Sequence, residues 1–382
     1  MRIVVAPDSF KESLSANEVA LSIEKGIYKV FPEAEVTLIP MADGGEGTVQ
    51  SLVDATGGQV IKLTVKDPLM RDIEGFLGIL GDKETAVIEM AAASGLDLLK
   101  EGEKDPWVTT TFGTGQLIKK ALESGSKKII IGIGGSATND GGAGMAEALG
   151  VKLLDSQGNQ IIRGGGGLKE LTSIDSSGLD PGISRAQILV ACDVNNPLVG
   201  ENGASQVYGP QKGADKKKVG ALDENLKHFA SIIKRDLDKD ILEVPGSGAA
   251  GGLGGGLMAF LNAQLKPGFE IIKEIVDLEQ KMKGADLVIT GEGRIDFQTQ
   301  FGKTPFGVAQ VAGKFGIPVI ALAGTLGDGH QVLYEQGIDA MFSILDRPMD
   351  LRSAKKDAPL LLKNTAERIM RLYRTPPKGI RG

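Results

Sequence analysis

The sequence has few of the side chains that most often act as nucleophiles or bind transition metals. Its 382 residues include one cysteine, Cys192, and two histidines, His228 and His330. A single cysteine excludes an intrachain disulfide, and two histidines argue against a Ser-His-Asp site or a histidine-rich metal site. We therefore expect the chemistry of this chain to depend on carboxylates, cations and backbone groups.

The sequence also lacks the features of proteins that bind nucleic acid or membranes. Lys and Arg total 43 against 49 Asp and Glu, a net charge of −6, so there is no basic excess to bind a phosphate backbone. No apolar run approaches the roughly 20 residues that span a bilayer, and the amino-terminal sequence has no signal-peptide pattern. We expect a cytoplasmic protein without nucleic-acid or membrane partners.

Glycine, by contrast, is abundant, and its densest cluster predicts a phosphate site. Glycine accounts for 54 of the 382 residues, about twice the usual share of roughly 7%. The cluster "IGIGGSATNDGGAGM" follows a predicted strand at Ile129–Ile131 and precedes a segment with helical character. A strand, a glycine-rich loop and a helix in this order aim backbone N–H groups at an anion, usually a phosphate. The loop lacks the Gly-Lys-Ser/Thr ending of a Walker A motif, and its Asp140 offers a carboxylate suited to a metal ion.

The hydrophobic pattern predicts an α/β fold. Five short apolar segments are typical of buried parallel strands, and helical patterns follow most of them. Ser15 and Glu18 form a capping-box pattern at the start of the first helix. This alternation of strands and helices predicts a doubly wound parallel sheet. Its predicted strands are Ile3–Ala6, Val36–Ile39, Leu287–Thr290, Val319–Ala323 and Ala340–Ile344.

The chain is too long for one typical core, so we expect two domains. The alternation is interrupted between residues 60 and 284, which we interpret as a second α/β domain inserted into a first domain of residues 1–59 and 285–382. Two consecutive domains split near residue 150 are the alternative, but they leave the first sheet short of strands. The predicted elements of the insert include a hairpin at Asp67–Asp72, strands at Ala86–Glu89 and Ile188–Ala191, and helices at Thr114–Glu123, Lys216–Lys234 and Leu253–Leu265.

Polar loops follow three strands of the predicted first domain, at residues 7–11, 41–47 and 291–296. In a doubly wound sheet, ligands bind beyond the carboxyl ends of the strands, where the strand order reverses. Each loop contains a carboxylate, although Asp and Gly are also ordinary turn residues. Three such loops at one edge favour a binding cleft. The inserted domain adds the loop at 132–144 and the loop that begins at Asp193.

Two partial motif matches fail their context tests. Residues 246–251 match G-x-G-x-x-G, but no strand precedes them, so close helix packing or a phosphate-facing helix start is the better interpretation. Gly302, Lys303 and Thr304 resemble the end of a Walker A loop, but Phe297 occupies the position of its first glycine. Lys303 still lies where it could face the cleft.

Carboxylates, a few cations and glycine-rich loops suit phosphoryl transfer, in which catalysis is mainly positioning and charge neutralisation. Nine segments of this chain resemble the bacterial glycerate kinase family, of the glycerate 2-kinase type, in order and over almost the whole chain. The resemblance implies a flavodoxin/Rossmann-like domain interrupted by a second α/β domain, and phosphorylation of D-glycerate by ATP with Mg²⁺, typically to 2-phosphoglycerate. The segments are "VVAPDSFKESLSANEVA", "PMADGGEGT", "AVIEMAAASGL", "TTTFGTGQLI", "IGIGGSATNDGGAGM", "ACDVNNPL", "GPQKGA", "GAAGGLGGGL" and "ADLVITGEGRIDFQT".

Individual roles within the expected cleft are hypotheses. For the general base we choose Asp193, with Asp296 as a further catalytic candidate beside Lys11. Asp43 is a candidate for substrate or Mg²⁺ binding, and Asp193 for Mg²⁺ binding, although Asp43 could equally be a turn cap between glycines. The glycerate carboxylate is expected near Ser9, Lys11 and Arg294. The ATP phosphates are expected at Gly134, Gly135, Ser136, Thr138, Asn139, Gly141 and Gly142.

Two other classes of function remain open from the residues alone. One is an NAD-dependent oxidoreductase of a small hydroxy acid, and the other is a non-catalytic small-molecule-binding protein. The residues do not decide between 2- and 3-phosphoglycerate as the product, or between a monomer and a homodimer.

Overall fold

The computed structural model describes residues 1–42 and 44–375, and within them the chain alternates strands and helices. The strands are, in chain order, β1 (Arg2–Val5), β2 (Glu35–Leu38), β3 (Gln59–Lys66), β4 (Asp72–Ile79), β5 (Thr85–Glu89), β6 (Lys128–Gly132), β7 (Lys152–Leu154), β8 (Ser173–Asp175), β9 (Gln187–Ala191), β10 (Gln264–Lys266), β11 (Leu287–Ile295), β12 (Val319–Leu326) and β13 (Ala340–Ser343). The α-helices are α1 (Ala16–Tyr28), α2 (Thr48–Thr56), α3 (Ala91–Ser94), α4 (Phe112–Glu123), α5 (Ala143–Ala148), α6 (Ala204–Tyr208), α7 (Lys216–Leu237), α8 (Leu253–Leu261), α9 (Gly268–Ile275), α10 (Leu278–Met282), α11 (Thr304–Gly313) and α12 (Leu351–Arg374).

The described chain forms two compact units. Unit 1 contains residues 1–42, 50–55 and 272–375, and unit 2 contains residues 44–49 and 56–271. Compared with the predicted domain boundaries, residues 272–284 lie with the first unit, because α10 packs against α11. The division into domains at 59/60 and 284/285 stays a prediction.

Unit 1 is built on a five-stranded parallel sheet in the order β13-β12-β11-β1-β2. Counted within the unit, this is the order 2-1-3-4-5 of flavodoxin-like sheets, which reverses between β1 and β11. The sequence predicted all five strands and the α/β class, and both are confirmed. In register, Ile3 pairs with Leu287 on one side and with Val36 on the other.

The prediction was wrong about where β11 ends. Residues 291–295 were expected to be a loop, but β11 continues to Ile295 because β12 extends with it, pairing Arg294 with Thr325. The glycines that suggested a turn serve close packing instead: a Cβ on Gly291 would collide with the carbonyl oxygen of Leu322. As a result, the polar residues that follow Thr290 lie within β11 and not in a loop.

Helix α1 covers the unit 1 sheet and packs against α12. It begins at the predicted capping box, in which the Ser15 hydroxyl accepts from the Glu18 N–H and the Glu18 carboxylate accepts from the Ser15 N–H. Its buried stripe of Val19, Ile23 and Ile27 belongs to the unit 1 core. Gly26 lies against α12, where an added Cβ would collide with the carbonyl oxygen of Lys363.

Unit 2 is built on a six-stranded sheet in the order β10-β9-β6-β5-β4-β3. Strands β5, β6, β9 and β10 are parallel, while β3 and β4 form the antiparallel hairpin predicted at Asp67–Asp72. The helix predicted at Leu253–Leu265 is too long, because it ends at Leu261 and Asn262 turns with φ +54° into β10. The carboxyl ends of the four parallel strands meet at one edge, and their loops form the site described below.

No helix in residues 1–42 and 44–375 combines the length and apolar character needed to cross a bilayer.

Substituting Gly26 tests the packing of α1 on α12. Gly26→Ala is expected to lower the free energy of unfolding by about 1–3 kcal/mol, because the methyl group overpacks a backbone contact. Gly313→Ala is the matched control, since this α11 glycine has open space around its Cβ position and alanine favours a helix by up to about 1 kcal/mol. Thermal and urea denaturation followed by circular dichroism measure both. Equal stability of the two variants would contradict the packing.

Candidate active site

The glycine-rich loop after β6 presents three backbone N–H groups at an accessible turn. Gly134 and Gly135 are exposed, and Gly135 has a φ of +73°. The turn is tied to the segment after β5, because the Leu96 N–H donates to the Gly135 carbonyl at 2.8 Å and the Ala137 N–H to the Ser94 carbonyl at 3.0 Å. The N–H groups of Gly134, Gly135 and Ser136 have no hydrogen-bond partner in the described part of the chain. Successive unpaired N–H groups of this kind form an anion-binding concavity.

Asp140 organises the buried half of the same loop and is not placed to bind a metal ion as the sequence suggested. Its carboxylate is fully buried and accepts from the Thr111 N–H at 2.8 Å and from the N–H groups of Gly142 and Gly144 at 3.1 and 3.2 Å. The hydroxyls of Thr110 and Thr111 donate to it as well. Burial raises the pKa of Asp140, and the backbone and hydroxyl donors oppose that shift.

The remaining predicted phosphate-binding residues of the loop are packed inside unit 2. The Gly141 N–H donates to the Gly251 carbonyl at 3.0 Å, and a Cβ on Gly141 would lie 2.7 Å from the Phe229 ring. The Asn139 amide donates to the Ser205 hydroxyl at 2.9 Å. These contacts leave Gly134 and Gly135 as the exposed residues of the loop that carry unpaired N–H groups. A nucleotide-binding role for Thr138, Asn139, Gly141 and Gly142 stays a prediction.

A buried lysine lies beneath the loop, and the sequence did not reveal it as a site residue. Lys212 is 2% exposed, and its Nζ donates to the Thr138 carbonyl at 2.6 Å and to the Ser136 hydroxyl at 3.2 Å. Burial lowers the pKa of Lys212 to about 7, opposed by the charge of Asp140. The only signal in the sequence was a lysine between glycines in "GPQKGA", a pattern that is equally typical of an exposed turn.

Two carboxylates stand at the ends of unit 2 strands. Asp193 follows β9 and is exposed, and its Oδ1 accepts from the Gly268 N–H at the start of α9 at 2.9 Å. Glu89 ends β5 and is buried, and its Oε1 accepts from the Val49 N–H at 2.8 Å. Burial raises the pKa of Glu89. Glu89 was missed because a single glutamate within an apolar strand gave no pattern.

In unit 1, the loop after β1 lies against the extended β11, where the strand order reverses. Asp8 is buried, and its two carboxylate oxygens accept from the Ser9 N–H at 2.6 Å and from the Thr304 hydroxyl at 2.7 Å. Ser9 is half-buried and Lys11 is exposed. A Cβ on Gly293 would lie 3.5 Å from the Phe10 Cα, so glycine permits this close approach. Asp8 therefore anchors the loop that carries the predicted substrate-binding residues Ser9 and Lys11.

Arg294 and Asp296 form a pair beside this loop. The Arg294 Nε donates to the Asp296 Oδ2 at 2.9 Å, and the Arg294 side chain is 66% exposed. The two terminal guanidinium nitrogens of Arg294 have no partner among the described residues. Asp296 also accepts from the Gln298 N–H at 3.0 Å. Asp296 thus holds Arg294 in place, and its predicted catalytic role stays a prediction.

Neighbouring polar groups complete the same end of β11. The Thr299 hydroxyl donates to the Glu292 carboxylate at 2.8 Å, and the Lys303 Nζ lies 3.7 Å from the same carboxylate. Lys303 is the N-cap residue of α11. The Gly302–Thr304 match to a Walker A ending is therefore a helix start that follows β11, with its lysine near a glutamate.

The G-x-G-x-x-G match at residues 246–251 is a packing feature. A Cβ on Gly251 would collide with the Thr138 carbonyl oxygen, and one on Gly248 with the Pro197 carbonyl oxygen. No strand precedes the segment, as the sequence predicted. The dinucleotide fingerprint is absent at this position, which removes the main sequence feature behind an oxidoreductase.

The predicted Mg²⁺ ligands are Asp193, at the end of β9, and Asp43, which lies outside the described residues. Among residues 1–42 and 44–375, no three histidine, cysteine or carboxylate side chains are grouped to hold a metal ion. Mg²⁺ usually takes one or two protein carboxylates and completes its shell with phosphate oxygens and water, so a site of that kind needs no such group.

Two shallow depressions of 430 and 590 Å³ on unit 2 lie away from these loops. The first is lined by Gln187 and Ile188, at the amino end of β9, and the second by Gly58 and Leu80 at the β3–β4 edge of the sheet. Neither includes a residue of the strand-end loops.

The fold and these loops define an α/β protein that can hold an anion at a glycine-rich turn next to strand-end carboxylates. The family model described as "Glycerate kinase family" matches residues 3–374. A "Glycerate kinase" of Halalkalibacterium halodurans is 55% identical over 96% of this chain and 97% of its own length. The chain therefore belongs to the glycerate kinase family, and it is an enzyme, a kinase.

Two further similar proteins agree with this assignment. A "Glycerate 2-kinase" of Escherichia coli is 56% identical over 90% of this chain and 91% of its own length. A crystal structure of a Salmonella typhimurium protein assigned as glycerate kinase 2 superposes with a TM-score of 0.90 at 50% identity, covering 98% of both chains. The predicted family and fold class are confirmed.

Replacing Asp140 tests its role as organiser of the loop. Asp140→Asn is expected to lower the free energy of unfolding by about 1–3 kcal/mol, because the amide group faces backbone N–H donors and leaves at least one of them unpaired. Asp238→Asn is the matched control, since Asp238 is an exposed residue with a φ of +54°, a conformation that asparagine also tolerates. Urea denaturation measures both variants. Equal midpoints would show that Asp140 does not stabilise the loop.

Proposed function

We propose that this enzyme transfers the γ-phosphoryl group of ATP to the 2-hydroxyl of D-glycerate and yields 2-phosphoglycerate and ADP. The observation that carries the proposal is the turn of unpaired N–H groups at Gly134, Gly135 and Ser136, in a chain that belongs to the glycerate kinase family. The name of the E. coli relative, a glycerate 2-kinase, supports the 2-position of the product.

The glycine-rich turn suits the phosphates of ATP. Its N–H groups donate to anionic oxygens without a side chain between them, because two of the three residues are glycines. The loop itself has no lysine between Gly132 and Gly144, so other positive charge must balance the phosphates. Mg²⁺ bound through phosphate oxygens would supply part of that charge and orient the γ-phosphoryl group. Asp193, and Asp43 by prediction, are the carboxylates proposed to complete its shell.

Arg294 is suited to bind the carboxylate of glycerate. A guanidinium that is held at Nε by an aspartate keeps its two terminal nitrogens for a bidentate pair with a carboxylate. Because Asp296 orients Arg294 before substrate binds, less side-chain freedom is lost on binding. Ser9 and Lys11, on the loop held by Asp8, are the proposed further contacts.

The reaction needs a base for the glycerate hydroxyl, and we retain Asp193 for that role. In this step Asp193 accepts the proton of the 2-hydroxyl, the hydroxyl oxygen bonds to the γ-phosphorus, and the bond from that phosphorus to the β,γ-bridging oxygen breaks. The Asp193 carboxylate is exposed, and the Gly268 N–H, which donates to its Oδ1, helps to hold the carboxylate at the end of β9. The proposal that residues of both units act on one pair of substrates rests on the family resemblance.

An activity assay with product analysis tests the proposal directly. ADP release is expected with ATP, Mg²⁺ and D-glycerate and not with L-glycerate. Proton-coupled ³¹P NMR distinguishes the products, because phosphorus on C2 couples to one methine proton and phosphorus on C3 couples to two methylene protons. A doublet is therefore expected. A triplet would overturn the 2-position, and an absence of turnover with D-glycerate would overturn the substrate.

Two variants are expected to separate substrate binding, measured by KM, from the chemical step, measured by kcat. Arg294→Met should raise the KM for D-glycerate roughly 10- to 100-fold and leave the KM for ATP within about twofold, because a charged hydrogen-bonded pair contributes about 1.5–3 kcal/mol. Asp193→Asn should lower kcat by a factor of about 10²–10⁴ while keeping an acceptor oxygen for the Gly268 N–H.

The control for Arg294 is Arg347→Met, another exposed arginine of unit 1 that pairs with an aspartate, and it should change neither constant. Asp193→Asn with normal kcat, or Arg294→Met with a normal KM for D-glycerate, would remove that residue from its proposed role. Thermal denaturation of each variant shows that the folded state is retained.

A further inference from the structure

Lys212 is a buried cation without a carboxylate partner in the described part of the chain. Its Nζ contacts two neutral oxygens, the Thr138 carbonyl at 2.6 Å and the Ser136 hydroxyl at 3.2 Å, and it forms no ion pair there. Burying an unpaired ammonium group is costly, and buried charges in proteins are normally paired or bound to a ligand. The charge of Asp140 acts on Lys212 without a direct contact, so the described residues leave the ammonium group with no bound counter-charge.

The backbone fixes Lys212 at this position. Lys212 ends the short turn Pro210–Lys212, and Gly213 follows with a φ of +95°, where a Cβ would collide with the Lys104 carbonyl oxygen. The side chain is thereby held inside unit 2 rather than left to reach solvent. Among residues 1–42 and 44–375, the hydrogen-bond acceptors of its side chain are atoms of the glycine-rich loop.

Ser136 connects Lys212 to the accessible turn. The Ser136 hydroxyl accepts from Lys212, whereas the Ser136 N–H is one of the three unpaired donors of the turn. An anion on those donors would therefore lie one residue away from the contact between Lys212 and Ser136. Lys212 itself is buried, and charges interact more strongly in a protein interior than they do in water.

We propose that Lys212 is a positioning residue of the phosphate site, which holds the Ser136–Thr138 segment in place and takes the bound phosphate as its missing counter-charge. Phosphate binding and protonation of Lys212 are consequently coupled. The identification of that phosphate as part of ATP rests on the proposed function.

The charges around Lys212 are consistent with this coupling. In the described part of the chain, the charge of Asp140 raises the pKa of Lys212, and the Asp140 carboxylate is already bound by backbone and hydroxyl donors. Near the same turn, Lys218 pairs with Asp105 at 2.8 Å, and Lys104 contributes its carbonyl oxygen beside Gly213. With a pKa of about 7, Lys212 is largely neutral at pH 8 in the free protein, so an anion that favours its charged form draws a proton from solution.

Proton uptake on binding is the decisive measurement. Calorimetric titration of the protein with Mg²⁺ and a non-hydrolysable ATP analogue, in buffers of different ionisation enthalpy, gives the number of protons taken up. For wild type at pH 8 we expect uptake approaching about 0.9 proton per site, falling to about 0.1 at pH 6, where Lys212 is already charged. Inorganic tripolyphosphate with Mg²⁺ is the second probe, since it offers phosphates without a nucleoside.

Three variants isolate the contribution of Lys212. Lys212→Met should bind the ATP analogue more weakly and should lose the proton uptake that wild type shows at pH 8. Lys212→Arg, which stays charged, should retain binding without uptake. Lys217→Met, at an exposed lysine of α7 with no side-chain partner in residues 1–42 and 44–375, should behave as wild type. Uptake in Lys212→Met equal to that of wild type would overturn the proposal, as would wild-type uptake that does not change between pH 6 and pH 8.

The two proposals fail in different ways. Binding of the ATP analogue without Lys212-dependent uptake overturns this inference and leaves the proposed function standing. Binding of tripolyphosphate with uptake, but no binding of the nucleotide, overturns the proposed function and supports the role of Lys212. Binding of neither probe overturns both.

The pH dependence of the free energy of unfolding tests the proposal without a ligand. The same measurement shows whether each variant folds. Lys212 has a pKa of about 7 in the folded protein and about 10.4 in an unfolded chain, so between these values the unfolded chain binds more protons. The free energy of unfolding of wild type should therefore rise with pH from about 7 to 10, relative to Lys212→Arg. Parallel pH profiles for the two proteins would overturn the buried, weakly basic lysine on which the coupling depends.

Discussion

The hydrogen bonds to the buried Asp140 carboxylate are the constraint on which the candidate site depends. Asp140 accepts from Thr111 at the start of α4 and from Gly142 and Gly144 at the start of α5. These bonds fix one half of the glycine-rich loop inside unit 2. In the other half, Gly134 and Gly135 are exposed, and their N–H groups and that of the adjoining Ser136 are unpaired among the described residues. The buried acid is therefore what allows the loop to be rigid and still open to an anion.

Two buried charged residues, Asp140 within the loop and Lys212 beneath it, bind backbone groups of the glycine-rich loop. Asp140 accepts from the N–H groups of Gly142 and Gly144, and Lys212 donates to the Thr138 carbonyl, so these groups of the loop are paired from inside unit 2. Unit 1 follows a related principle, since Asp296 holds Arg294 and Asp8 holds the loop after β1. In both units, buried carboxylates position the groups proposed to contact substrate, which is how a site gains precision without histidine or cysteine.

Much of the fold could be predicted because it follows from short-range patterns. Apolar runs such as Val319–Ala323 and the Ser15–Glu18 capping box depend on neighbours only a few residues away, and each was found where it was expected. The errors arose where distant pairing overrode local preference. β11 passes through glycines that resemble a turn because β12 extends beside it, and α8 stops at Leu261 because the following residues pair with β9.

The sequence by itself determined the α/β class, the family and the placement of the glycine-rich loop after a buried strand. Only the tertiary structure decided which parts of that loop remain available to a ligand. The reason is physical: Asp140 reaches Thr111, Lys212 reaches Thr138, and Gly141 donates to Gly251, all across long separations in the chain. A glycine-rich sequence predicts backbone donors, but the folded neighbours determine which donors are already paired.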